Sequence, residues 1–172
     1  MTQDTRPVQI IAEIGWFEFT RNHLIHRIAD VTTAGEYDAL FAEVIRGRRT
    51  INLYLQTPVP RELVREAIEA ATWAPNHHVT EPWHFYLLGR DTIGQCLDLC
   101  RDIVTARKSP EAGEFKREQW SEKPGWLVVT CRRSDDELLQ REDYAACSVA
   151  IQNFMLYLWK AGVGSKWTTG DI

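Results

Sequence analysis

Three short clusters in this sequence hold residues able to do chemistry. The first is Arg46-Gly47-Arg48-Arg49-Thr50, where three guanidinium groups and a hydroxyl fall within five residues. Guanidinium forks make bidentate, charge-assisted bonds to phosphate and the Thr hydroxyl adds another, so this is a candidate phosphate site. A solvated basic turn is the plainer alternative. The second cluster is Ala74-Pro75-Asn76-His77-His78, followed by Glu81-Pro82-Trp83-His84-Phe85. Its amide and imidazole groups can meet a planar ligand. A proline-punctuated connector packed by Trp83 and Phe85 would read the same way. The adjacent pair His77-His78 is not a metal signature, because neighbouring side chains generally point apart, and no metal site is expected. The third cluster runs from Gly162 to Gly170 and combines glycines, which permit close backbone approach, with Trp167, Thr168 and Thr169.

The chemistry of these clusters is that of binding rather than of a nucleophile or an acid–base pair. Neither a phosphate-binding P-loop spacing nor a dinucleotide-binding GxGxxG is present, and no serine elbow is visible. The carboxylate pairs Asp135-Asp136 and Glu142-Asp143 sit in helical context, where caps and solvated faces are their ordinary roles. An enzyme with this inventory would leave the reaction to a bound cofactor.

The elements that must position the clusters are legible in the hydrophobic pattern. Val8 to Phe19 reads as a strand, His23 to Ala29 as a short helix, and Thr32 to Gly35 as a linker. Leu40, Phe41, Val44 and Ile45 repeat at helical spacing up to Gly47. Leu63, Ala67, Ile68 and Ala71 mark a second helix, which Pro75 stops near Trp73. Trp83 to Leu88 is strand-like, and Asp91 can cap a third helix. Ser109 to Pro124 reads as a solvated helical excursion with Phe115 and Trp120 as lone aromatics. Trp126 to Cys131 is a compact strand. Asp135 or Asp136 caps the longest helix, which runs to about Ala161 with an apolar face of Tyr144, Cys147, Ser148, Ile151, Phe154, Met155 and Leu158. Gly164 to Thr169 can enter a last strand. Helices alternating with a few strands predict an α+β, three-layer domain, with that long helix central.

Composition bounds the answer further. At 172 residues the chain is about one domain and can bury a core without staples. Lys plus Arg is 20 against 24 Asp plus Glu, a net charge of −4, which argues against a general nucleic-acid or anionic-membrane binder. No apolar run reaches the roughly 20 residues of a membrane span. The N-terminus lacks a signal-peptide layout, so the protein is expected in the cytoplasm, with Cys96, Cys100, Cys131 and Cys147 as free thiols.

In order along the chain, five segments resemble the nitroreductase family of flavin enzymes, especially its short YdjA-like members. They are Ile45-Arg46-Gly47-Arg48-Arg49-Thr50, Ala74-Pro75-Asn76-His77, Glu81-Pro82-Trp83-His84-Phe85, Ala150 to Leu156, and Ala161 to Trp167. The resemblance covers about Tyr37 to Ile172. It implies a three-layer α-β-α fold with a central, mostly antiparallel sheet, and a homodimer with FMN at the interface. It implies ping-pong turnover, from NAD(P)H to FMN and then to a nitroaromatic, quinone or similar small-molecule acceptor. Carried over by position, Arg48, Arg49 and Thr50 would hold the phosphate and ribityl side. Trp73, Asn76 and His77 would line the flavin, and Trp167, Thr168 and Thr169 would run along its ring and chain.

The sequence departs from the family pattern at three places. Asn52 stands where family members often carry Arg or Lys near the flavin pyrimidine. Val79-Thr80-Glu81-Pro82-Trp83 replaces an amide with a carboxylate. Residues 1–36 form an extension outside the match, and the domain 37–172 ends where family members continue, so a C-terminally incomplete chain is expected ahead of an N-terminus that substitutes for the tail. A flavin-binding or dimerisation protein without turnover is the competing reading. A specialised flavin enzyme, such as a reductive dehalogenase or flavin-fragmenting enzyme, is a third.

Overall fold

The computed structural model describes residues 9–16 and 34–168. The expected helix at His23 to Ala29 and the candidate site residue Thr169 lie outside the described residues.

The elements, in order, are β1 (Gln9–Trp16), α1 (Ala34–Gly47), α2 (Arg61–Thr72), a short 3-10 turn (His77–Val79), β2 (Trp83–Leu87), α3 (Arg90–Arg107), α4 (Pro110–Ser121), β3 (Trp126–Cys131), α5 (Glu137–Lys160) and β4 (Val163–Thr168). The four strands form one sheet in the order β2-β3-β1-β4, and every strand pair is antiparallel. β1, from the extension outside the family resemblance, lies inside the sheet, with Ile11 opposite both Val128 of β3 and Thr168 of β4.

β3 shows why three layers form. Side chains on a strand alternate between faces. Leu127, Val129 and Cys131 enter one core with Ala67 and Ala71 of α2 and Cys147, Ile151 and Phe154 of α5. Trp126 and Val128 enter a second core, on the opposite face, with Leu97 and Cys100 of α3 and Trp120 of α4. α5 is the central helix, with one face buried from Asp143 to Trp159 and Tyr144 and Val149 exposed on the other. At its C-terminal end, Trp159 packs against Leu40 and Val44 of α1 and against Ile51.

Several local readings are refined by this packing. Ala34 and Gly35 open α1 rather than forming a linker. Asp91 does not cap α3. Gly89 holds that position and Asp91 lies in the first turn, where its charge still favours the helix dipole. Ser109 caps α4 through its hydroxyl, which accepts from Ala112 N, and Asp136 caps α5 by accepting from Leu138 N and Leu139 N. Phe115 is exposed as expected, but Trp120 is buried. It meets Trp126 edge-on, ring centroids 5.2 Å apart, a partner that only the folded chain brings near.

α3 and α4 meet without room to spare at Gly113. A methyl group there would stand 2.1 Å from Thr105 Oγ1 and 2.7 Å from the Arg101 carbonyl oxygen. Gly113→Ala therefore forces the helices apart, and urea denaturation is expected to show a loss of about 1–3 kcal/mol. An unchanged midpoint would mean that the contact is looser than drawn.

Candidate functional site

The arginine turn begins where α1 ends. The Arg48 backbone N–H still donates to Val44 O at 3.2 Å, closing the last helical turn. The Arg49 guanidinium folds back and donates through Nη1 to the carbonyls of Arg46, at 2.5 Å, and Arg48, at 2.9 Å. It thus satisfies orphan carbonyls of the helix end. The Arg48 side chain is half-buried and pairs with no carboxylate among the described residues. Of the two arginines, Arg48 is the one placed to receive an anion.

The chain beyond the turn is anchored to β4. Thr50 bridges to Ser165, and the Ile51 N–H donates to Ser165 O at 3.2 Å. Ser165 is buried, and Trp167, two residues on, packs against the main core. The first and third sequence clusters therefore form one surface, made of Arg48, Thr50 and the strand that carries Trp167 and Thr168.

Asn52 stands next on this surface and is exposed. Lys123 donates from Nζ to the Asn52 carbonyl at 2.9 Å and lies 5.4 Å from the centre of the Tyr54 ring. Gln56 donates to the Glu122 carbonyl at 2.8 Å, tying the same loop to the same turn. A cation thus stands beside Asn52, supplied from 71 residues away. No local spacing in the sequence carries that signal.

The second cluster lies elsewhere. Trp73, 83% exposed, caps the C-terminus of α2, and the loop after Pro75 runs over the N-terminal half of α5. Three non-glycine residues of the loop have left-handed backbone, with φ of 60° at His78, 53° at Val79 and 42° at Glu81. Each costs on the order of 1–3 kcal/mol and persists only where surroundings over-determine it. The surroundings do so here. Thr80 Oγ1 donates to buried Asp143 at 2.5 Å, Asn76 Oδ1 accepts from Glu81 N at 2.9 Å, and the Arg132 guanidinium donates to the Thr80 carbonyl. His77 Nδ1 lies 3.0 Å from Glu142 Oε2. The expectation that His77 and His78 point apart fails for a local reason. The left-handed turn at His78 swings the rings together, centroids 3.8 Å apart.

The two halves of the site lie at opposite ends of α5. Glu142 holds the histidine loop, and Trp159 packs beside the arginine turn. On a helix rising about 1.5 Å per residue they are roughly 25 Å apart along the axis.

The four thiols lie in the cores, Cys131 and Cys147 in the first and Cys96 and Cys100 in the second, and the hydrogen bond with Cys147 lowers Cys131. Burial pushes the Cys96 and Cys100 thiols up, which keeps them protonated near neutral pH. Cys147 is raised by its hydrogen bond to Cys131 and by burial.

The model of the Nitroreductase family matches residues 45–170, most of the chain and both halves of the site. The chain belongs to the nitroreductase family. YfhC of Bacillus subtilis, named as an NAD(P)H nitroreductase, is 33% identical over 138 residues, covering 78% of this chain and 71% of that protein. A nitroreductase-like family protein from Bacillus cereus matches in structure with a TM-score of 0.71 at 28% identity, over 81% of this chain and 72% of that one. The FMN-dependent nitroreductase NfnB of Mycobacterium smegmatis, solved with NADPH, shares the fold at a TM-score of 0.55 and 14% identity, over 78% and 89%.

For this nitroreductase the donor set suits FMN. A half-buried guanidinium with no carboxylate partner among the described residues, a hydroxyl residue beside it and a loop that carries a cation suit a phosphate and a ring that gains negative charge on reduction. Among the described residues no helix is long and apolar enough to cross a membrane.

Proposed function

We propose that the chain works as an FMN-dependent NAD(P)H oxidoreductase, in a homodimer whose two flavin sites lie between subunits. FMN, when bound, accepts hydride from NAD(P)H and passes electrons to a nitroaromatic, quinone or similar acceptor in ping-pong turnover. The observation that carries the reading is the joining of the arginine turn to β4 within a chain of this family.

The residues divide the work. Arg48 and Thr50 hold the phosphate end, with Arg49 able to join them by leaving the α1 carbonyls. Trp167, Thr168 and Thr169 line the ring and ribityl side. Lys123 supplies positive charge beside Asn52, where negative charge on a reduced ring would be stabilised. Trp73, Asn76 and His77 line the opposite side. The distance along α5 exceeds the span of one flavin mononucleotide, so the histidine loop over any one flavin comes from the second subunit.

The dimer reading has further support from α1 and α5. Tyr37, Leu40, Phe41 and Val44 of α1 form, with Asn153 and Leu156 of α5, an apolar groove of about 440 Å³. Phe41 is 68% exposed. A contiguous apolar surface of this kind marks an association site, and a second copy of α5 would cover it. The net charge of −4 argues against a general nucleic-acid partner, and the reading places the protein in the cytoplasm.

Steady-state kinetics test the proposal. Initial rates of NAD(P)H oxidation, measured at several fixed concentrations of a nitroaromatic or quinone acceptor, should give parallel double-reciprocal lines. Bound flavin with no acceptor-dependent oxidation would favour the flavin-binding protein without turnover. Intersecting lines would rule out the two-step exchange.

A further inference from the structure

We propose that His77, His78 and Glu142 form a binding site for a divalent transition-metal cation of the zinc, nickel or copper kind, which fastens the 76–81 loop to α5. One ligand atom from each residue lies within 4.8 Å of those of the other two. His77 Nδ1 and Glu142 Oε2 are already 3.0 Å apart. Two ligands on a tetrahedral centre, with bonds of about 2.0–2.2 Å, stand roughly 3.3 Å from one another. The His77–Glu142 pair is close to that spacing, and a ring nitrogen of His78 lies within 4.8 Å of both.

The loop geometry is set by other groups. Thr80 on Asp143, Arg132 on the Thr80 carbonyl and Glu81 N on Asn76 hold the backbone. None of these bonds uses the three ligand side chains, so their convergence follows from a frame built around them. In the single chain the two imidazoles are exposed and the carboxylate half-exposed, within reach of a cation from solvent. Two neutral nitrogens and one carboxylate select zinc, nickel or copper over magnesium or calcium, which prefer all-oxygen sites. The site shares His77 with the flavin reading and overlaps it nowhere else: His78 and Glu142 carry no flavin role, and cation binding needs neither FMN nor a second subunit.

The test uses the full chain, supplemented with FMN, stripped with a chelator and titrated with zinc chloride in a calorimeter. Two variants, each removing one of the three ligands, separate this cluster from the thiols. Glu142→Gln keeps a hydrogen-bond partner for His77 but loses the anionic ligand. His78→Asn keeps a residue that tolerates left-handed backbone. The expected result is one zinc per chain, with affinity at least tenfold weaker in each variant, at unchanged far-ultraviolet circular dichroism. No zinc uptake by the unaltered protein overturns the proposal whatever the variants do. So does uptake that both variants leave unchanged, since the metal would then sit elsewhere. Either result leaves the flavin kinetics untouched, so failure here and failure of the oxidoreductase reading are distinguishable.

Discussion

Arg48→Ala weakens FMN binding by about 1.5–3 kcal/mol, roughly 10- to 150-fold, when titrated by flavin fluorescence. The size follows from the place of the residue. Arg48 is half-buried at the end of α1 and has no carboxylate partner among the described residues, so its charge is available to a phosphate and is only partly screened by water. Arg49→Ala should cost less, because its guanidinium already occupies the carbonyls of Arg46 and Arg48. The same variant tests the subunit arrangement. In a mixed dimer of one Arg48→Ala chain and one His77→Ala chain, a shared site places both lesions on one flavin and neither on the other. One flavin per dimer should then bind with unaltered affinity. If Arg48 and His77 served the same flavin from one chain, each site would carry a lesion and none would bind normally.

Phe154→Ala is expected to destabilise the chain by about 3–5 kcal/mol in urea denaturation. Phe154 is 1% exposed on α5, in the core that joins α2, β3 and α5. Its loss opens a cavity against side chains that the sheet on one side and α2 on the other hold in place. Small domains have only about 5–15 kcal/mol in all, so the variant approaches the folding threshold. Leu138→Ala on the same helix, at 63% exposure, is the control and should stay within about 0.5 kcal/mol of the unaltered protein. Equal losses in both would mean that α5 is not the centre of the core.

How far the sequence alone reaches depends on what makes each feature. Trp126–Cys131 was legible to the residue because a short β-branched run between a Pro-Gly pair and two arginines has one reading. α5 was legible because its apolar residues continue for six turns between an aspartate cap and two glycines. The strand near Val8 was visible as a strand, but its place between β3 and β4 was not, because pairing order depends on partners more than 100 residues away. Trp120 was misread as a solvated aromatic because its partner, Trp126, lies across a helix–sheet contact.

The site divides in the same way. Arg48, Thr50 and Trp167 were found as separate motifs, and the fold joins two of the three clusters through the Thr50–Ser165 bridge. Lys123 was missed because a charged residue in a charged stretch has no local signature. The His77–His78 approach was missed because it depends on one φ angle, for which a histidine gives no warning. The activity itself came from the order of five segments, since no single cluster names a reaction.

The most direct test of the central claim is the visible spectrum of the purified protein, after FMN addition and desalting, before and after NADPH or NADH under argon. The account predicts a retained oxidised-flavin band that bleaches on adding a nicotinamide and returns when a quinone or nitroaromatic acceptor follows. A protein that retains no flavin, or whose retained band neither nicotinamide bleaches, would contradict it.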